Sequence, residues 1–176
     1  MPENKQTEDS GASPAEQIIE AARRNNVDLL NSIYESYASK PDQLISLLNS
    51  AKDATGNSAL HLCCKYGNYE VMDHILDLEG VNVNPQHPLT LDTPLHYAVN
   101  YSFEEPDYAL FLIENLIEVG ADVKLKNKDG LKPVQLLGDS NEKIRDTLES
   151  AEYAINVKPE AEGEVVEDLD SDDDAK

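Results

Sequence analysis

Four residues of this chain crowd one short window with side chains that hold soft metals or move protons: His61, Cys63, Cys64 and His74. A fifth, His96, stands 35 positions after His61. Zinc chemistry would need four ligands converging on one tetrahedral centre. On a helix His61 and Cys64 share a face, but Cys63 points elsewhere, and no CxxC spacing occurs. The phosphate-cradling and nucleophile motifs GxGxxG, GxxxxGK[ST], HExxH and GxSxG are all missing from the sequence. Carboxylates abound, yet abundance without a defined pocket does not make an acid/base pair. The expectation is a chain without catalysis, cofactor or metal.

The histidines belong to a repetition instead. Residues 57–63 read NSALHLC and residues 92–98 read DTPLHYA. Thr93 is placed to cap a helix with its hydroxyl, Pro94 follows at the first helical position, and His96 falls three residues past the cap. Ser58 and His61 repeat that geometry without the proline. A third, eroded copy has Lys132, Pro133 and Gln135 in the three positions. The register steps are 35 residues from Ser58 to Thr93 and 39 from Thr93 to Lys132.

Around these copies apolar residues return at helical spacing. Ala15, Ile18, Ile19 and Ala22 predict a first helix, with Ser13 as cap, Pro14 in the first turn and Glu16 closing a capping box. Leu29, Leu30, Ile33, Tyr34 and Tyr37 predict a second, and Leu44, Ile45, Leu47 and Leu48 a short third. Residues 41–50 fit either an inserted helix or part of a capping repeat. Further helices fall on Val71, Met72, Ile75 and Leu76, on Ala109, Leu110, Ile113, Leu116 and Ile117, and on Ile144, Leu148, Ala151 and Ile155. No stretch alternates as a strand would for more than a few residues. The fold class is all-α, built from short antiparallel helix pairs.

Each unit is a turn, a helix start, a short helix, a Gly/Asn break and a second helix. The unit resembles the ankyrin repeat, on TPLH at 93–96 and EVGADVKLKNKDG at 118–130 above all. AEQIIEAARRNNVDLLNSI resembles a degenerate first repeat, with Asn25-Asn26 where Gly67-Asn68 stands. The resemblance implies an ankyrin solenoid of about four repeats with degenerate terminal caps over residues 14–157. It implies that Ser58, His61, Thr93, Pro94 and His96 are structural, the histidines bracing the cap against the neighbouring turn. Both cysteines fall where such repeats carry alanine, so they read as small buried hydrophobes.

Stacked repeats leave a face of turn tips and inner helices for partners. The resemblance maps that face onto Ala54, Thr55, Asn57, Lys65 and Tyr66, then Leu89, Thr90, Asp92, Asn100 and Tyr101, then Lys128, Asp129 and Leu131. Asn57, Lys65, Tyr66, Asp92, Asn100, Tyr101 and Asp129 are the expected partner-binding set. Tyr66 and Tyr101 occupy matching places, and either serve an interface or shield the neighbouring repeat. Glu104, Glu105 and Asp107, in an insertion, either add to a binding charge or form a solvated loop.

Charge narrows the partner. Of 176 residues, 35 are acidic and 14 basic, a net −21. Residues 14–157 hold 23 of those acids and 11 of the bases, −12, and residues 160–174 hold nine acids and no base. Direct binding to nucleic acid is excluded by repulsion. A protein partner, strongly basic in the preferred reading, is favoured. No apolar run is long enough for a membrane span, MPENKQTEDSGASP lacks a signal-like apolar region, and adjacent cysteines cannot build a disulfide framework. Those features point to the cytoplasm, the nucleus or both, and to a monomer when free.

Residues 1–13 and 158–176, lacking aromatics, read as disordered. Ser171, before Asp172, Asp173 and Asp174, resembles an acid-directed kinase site, while Val165, Val166 and Leu169 are spaced to form a short docking helix. The layout resembles small acidic fungal ankyrin proteins, some of which shield ribosomal proteins. That likeness implies an escort for a basic client such as a ribosomal protein or histone. The other reading is a general adaptor or inhibitor of a non-basic protein, its tail serving solubility alone.

Overall fold

The computed structural model describes residues 11–157. Its helices are α1 (Pro14–Arg24), α2 (Val27–Ser36), α3 (Pro41–Ser50), α4 (Ala59–Tyr66), α5 (Tyr69–Leu76), α6 (Pro94–Tyr101), α7 (Pro106–Glu118), a 3-10 helix (Pro133–Leu137) and α8 (Glu142–Val157). Expectations for residues 1–10 and for the acidic tail, Ser171 among them, lie outside the described residues. Within them no helix is long and apolar enough to cross a membrane.

Local chemistry sets the helix starts. Ser13 accepts from the Glu16 N–H while the Glu16 carboxylate accepts from the Ser13 N–H at 2.7 Å, closing the box at α1. Pro14, Pro41, Pro94, Pro106 and Pro133 each open a helix at the position where a missing N–H costs nothing. The breaks within pairs are equally specified. Gly67 ends α4 at φ 68° and Asn25 ends α1 at φ 53°, both left-handed, the conformation glycine and asparagine tolerate best.

Packing then builds two rows. α1, α4, α6 and the 3-10 helix lie side by side as an inner row, and α2, α5, α7 and α8 back them. The inner row meets through small residues: Ala21, Ala22, Cys63, Cys64 and Ala98 are all 0% exposed, so the backbones approach closely. Larger side chains, among them Leu30, Met72, Leu112, Ile113 and Leu116, fill the space between the rows.

Polar side chains lock the turns of one pair to the next. Asn68 donates to the carbonyls of Ala22 and Arg23 at 2.8 and 2.9 Å, and Asn25 accepts from the Val71 N–H at 3.1 Å. Residues 41–50 form a separate inserted helix. Its Leu44 and Leu48 are buried, and Asn49 both donates to the Gly80 carbonyl and accepts from the Asn82 N–H. The last pair differs from the others: its inner element is 3-10, not α, and Ile155 of α8, on the expected apolar spacing, is 46% exposed, with no further repeat over it among the described residues.

A side chain at Gly67 would meet two obstacles, the left-handed backbone and the Tyr101 ring, whose hydroxyl oxygen would lie 2.5 Å from an added Cβ. Gly67→Ala is expected to destabilise the chain by about 1–2 kcal/mol, read as a lower urea midpoint at unchanged slope.

Candidate protein-binding surface

Before each inner helix of the second, third and fourth units the chain makes a hairpin-like finger. In the first finger the Asp53 N–H donates to the Asn57 carbonyl at 2.9 Å, and Lys52 and Ser58 form a single antiparallel bridge. His87 and Asp92 pair in the second, Asn127 and Leu131 in the third, each at 2.9 Å. One side-chain acceptor organises each tip. Asp53 Oδ1 takes the N–H groups of Thr55 and Asn57, and Asn127 Oδ1 those of Asp129 and Leu131. In the middle finger His87 Nδ1 does the same for Leu89 and Thr90. Burial pushes the Asp53 carboxyl up, but the hydrogen bonds from Thr55 and Asn57 outweigh it and hold the group well below the usual carboxylate range.

The histidines of the inner helices tie the fingers to the stack. His61 Nδ1 lies 2.8 Å from Ser58 Oγ and accepts from the Ser58 N–H, while Nε2 reaches the Asp92 carbonyl in the next finger at 2.8 Å. His96 repeats this with Thr93 Oγ1 at 2.8 Å and the Leu131 carbonyl at 3.0 Å. A carbonyl only accepts, so Nε2 carries the proton and both rings are neutral. Burial holds the His61 imidazole down at about 4 and lowers that of His96 too. Pro94 is buried at the start of α6. In the last unit Gln135 accepts from the Lys132 N–H at 2.8 Å, and Lys132 pairs with Glu152.

Further cross-links complete the row: Tyr97 donates to Asn57 Oδ1 at 2.6 Å, the Lys128 N–H donates to the Thr90 carbonyl at 2.7 Å, and the Asn127 amide donates to Asp92. The tips are therefore held in fixed register. This chain belongs to the ankyrin-repeat family. A family model described as ankyrin repeats, in three copies, matches residues 18–127. The chain is 46% identical over 169 residues to the ankyrin repeat-containing protein YGL242C of Saccharomyces cerevisiae, covering 92% of this chain and 93% of that one. It is also similar to two proteins of Latrodectus tredecimguttatus. Alpha-latroinsectotoxin-Lt1a is 29% identical over 77% of this chain, and alpha-latrocrustotoxin-Lt1a 24% over 78%, each alignment covering 8% of the toxin. Ankyrin repeats make this a protein-interaction module.

The expected partner-binding residues divide. Lys65, Asn100 and Asp129 are exposed, and Tyr66 is 45% exposed with the Lys65 ammonium 5.5 Å from its ring centre. Asn57 is different: it is 5% exposed, its amide spent on Asp53, Thr55 and Tyr97, so it holds the finger together from inside. Asp92 is half-buried and accepts from Asn127 at 3.1 Å. Tyr101 is also half-buried, covering Gly67 of the preceding pair. Cys63 and Cys64 are fully buried, which pushes both thiols up, and among the described residues no group of three or more His, Cys, Asp and Glu is arranged to hold a metal.

Two features escaped the sequence. His87 stands in the acceptor position that Asp53 and Asn127 fill, a role no motif marks. Leu91 sits at φ 57°, where the first and third fingers have Gly56 at 98° and Gly130 at 76°. The middle finger is one residue longer and presents Leu89, 72% exposed, beside Leu91, 41% exposed. A leucine in the left-handed region is strained and solvent-facing at once, and such strain persists only where surroundings enforce it.

The unfolded chain takes up protons near the ordinary histidine value of 6.5, the folded His61 only near 4. Stability is thus fully present above about pH 6.5 and falls as pH drops toward 4, by about 3 kcal/mol for His61 alone. Urea midpoints at pH 7.5 and pH 5 should show the loss. His61→Gln, which mimics Gln135, should be less stable at pH 7.5 by about 1–3 kcal/mol and give a shallower pH profile.

Proposed function

We propose that this protein is a non-catalytic escort for a basic protein client, such as a ribosomal protein or histone, in the cytoplasm or nucleus. The observation that carries the reading is the middle finger: two exposed leucines, one in a strained backbone, on a body whose net charge is −12 over residues 14–157. Exposed leucine supplies apolar contact area, and the net negative charge of the body favours a cationic partner and speeds its capture. The body's cations are partly spent within the fold. Arg23 and Arg24 pair with Glu20, Arg23 also lies 3.8 Å from Asp53, and Lys132 pairs with Glu152, at the two ends of the stack. The 46% identical yeast protein bears a name that states repeats alone, so the client is read from surface chemistry.

Affinity purification from native cells, washed at low salt and at about 0.5 M, tests the reading, since exposed charge attraction is largely screened at that strength. The expected result is one dominant, strongly basic protein that elutes as salt rises. A neutral or acidic partner held through high salt overturns the escort and leaves a general adaptor. Leu91→Gly separates binding from folding: relief of left-handed strain, about 1–2 kcal/mol, is offset by glycine's entropic cost of about 0.5–1 kcal/mol. Stability should therefore stay within about 1 kcal/mol of the parent while affinity for the purified client falls about tenfold, read by titration calorimetry.

A further inference from the structure

A second surface lies at the far end of the helices from the fingers. Tyr101 is the last residue of α6, whose first residue follows the middle finger, so the helix length separates the two. There four aromatic rings form a continuous strip across two repeats. Tyr69 and Phe111 have ring centres 4.5 Å apart, Phe111 and Tyr108 6.0 Å, and Tyr108 and Tyr101 6.3 Å. The strip opens to solvent at its middle, with Phe111 39% and Tyr108 40% exposed, while Tyr69 and Tyr101 at its ends are half-buried, and Phe103 nearby in the chain is 58% exposed.

Carboxylates of Asp73, Asp77, Glu104 and Glu105 act on its tyrosines. Residues 66–123 contain eleven Asp and Glu and no Lys or Arg. Asp73 accepts from the Tyr69 hydroxyl at 3.1 Å. Burial raises the Tyr101 phenol, and the charges of Glu105 and Glu104 raise it further, so the insertion's carboxylates reach the strip. Lys65, the cation just before this stretch in the chain, sits by Tyr66.

We infer that this aromatic strip is a docking surface for an arginine-rich segment of a protein partner. Guanidinium groups stack on aromatic faces and pair with carboxylates in the same plane, and they are weakly hydrated, so they lose little on contact. Lysine, a compact and strongly hydrated charge, gains less from the rings. An aliphatic segment would desolvate the carboxylates with nothing to pair them. Nucleic acid and anionic lipid are repelled. The surface depends on the basic-client reading only for which protein carries the segment; its geometry is separate from the fingers.

The test is titration of the full chain with a fluorescent nine-arginine peptide, followed by anisotropy and by NMR of the tyrosine and phenylalanine rings. A nine-lysine peptide and two variants serve as comparisons. The ring signals of Tyr69, Tyr101, Tyr108 and Phe111 should shift, and arginine should bind about tenfold tighter than lysine, the scale of one or two stacked cations. Tyr108→Leu with Phe111→Leu, which keeps apolar bulk but removes the π faces, should erase that preference. Leu89→Asp in the finger should preserve it. Equal binding of both peptides, or binding that leaves the four ring signals unmoved, would mean only diffuse attraction to the acid-rich chain and would overturn the site. A basic client lost with Leu91→Gly but indifferent to the leucine pair would likewise sink the strip while leaving the escort. Arginine-specific shifts without any basic client in cells would do the reverse.

Discussion

A neutral imidazole, bonded through both nitrogens, joins each central repeat to the next. The Nδ1 atom closes the cap of its own helix and the Nε2 proton reaches a carbonyl in the following finger. Apolar contact alone sets how closely inner helices approach, through Ala22, Cys64 and Ala98, but it does not fix rotation or slide. A buried, two-ended hydrogen bond does, because any shift of either repeat strands a polar group without water, at about 1–3 kcal/mol. Neutrality is part of the arrangement. A protonated ring would have no acceptor role left for the Ser58 or Thr93 N–H, and its charge would be buried in a place with no carboxylate bonded to it.

Fixed fingers are what permit a disfavoured residue at one tip. The first and third fingers take glycine in the left-handed position and an Asx side chain at the base. The middle one takes Leu91 and His87, with an extra residue between them. Its neighbours hold it on both sides: Pro88 lies 3.0 Å from where a Cβ on Gly56 would stand, and the Thr90 carbonyl receives the Lys128 N–H. The finger that departs from the rule is the one clamped by two others, and it carries Leu89, the most exposed leucine among the described residues. Local inconsistency sustained by surrounding consistency is the pattern expected of a functional position.

How much of this was legible depends on whether the signal lies in residue type or in a distant backbone atom. The capping boxes, the proline starts and the Asn25/Gly67 equivalence all follow from side chains within four residues of each other, and the sequence carries them openly. The acceptors of His61 and His96 are carbonyls 31 and 35 residues away, which any residue could supply. Asn57 looked like a surface residue because finger tips usually face solvent; its burial comes from Tyr97, 40 residues on, in another repeat. The strip was hidden for the same reason. Tyr69 and Phe111 carry no shared motif and meet only because their helix pairs stack. Inserted helix α3 was ambiguous since its periodicity fits either role, and the Asn49 contacts to residues 80 and 82 that seat it are again long-range.

Charge and stability pull against each other in this molecule. Like charges concentrated on a small body raise its free energy, and the −12 of residues 14–157 is not compensated at its middle, where residues 66–123 carry eleven acids and no Lys or Arg. A fold optimised for its own stability would place cations there, as the end repeats do with Arg23 and Lys132. Added salt should therefore act in opposite directions on the two states. Screening relieves self-repulsion, so the free chain's melting temperature should rise between low salt and about 0.3 M, where the Debye length is only a few ångströms. The same screening should weaken a complex with a cationic partner. A partner that binds only the folded state also stabilises it by mass action, so at low salt the complexed chain should melt above the free one by a margin that shrinks as salt is added. Equal salt response of free and bound chain, measured by calorimetry on the same preparation, would show that the missing cations are not what the partner supplies.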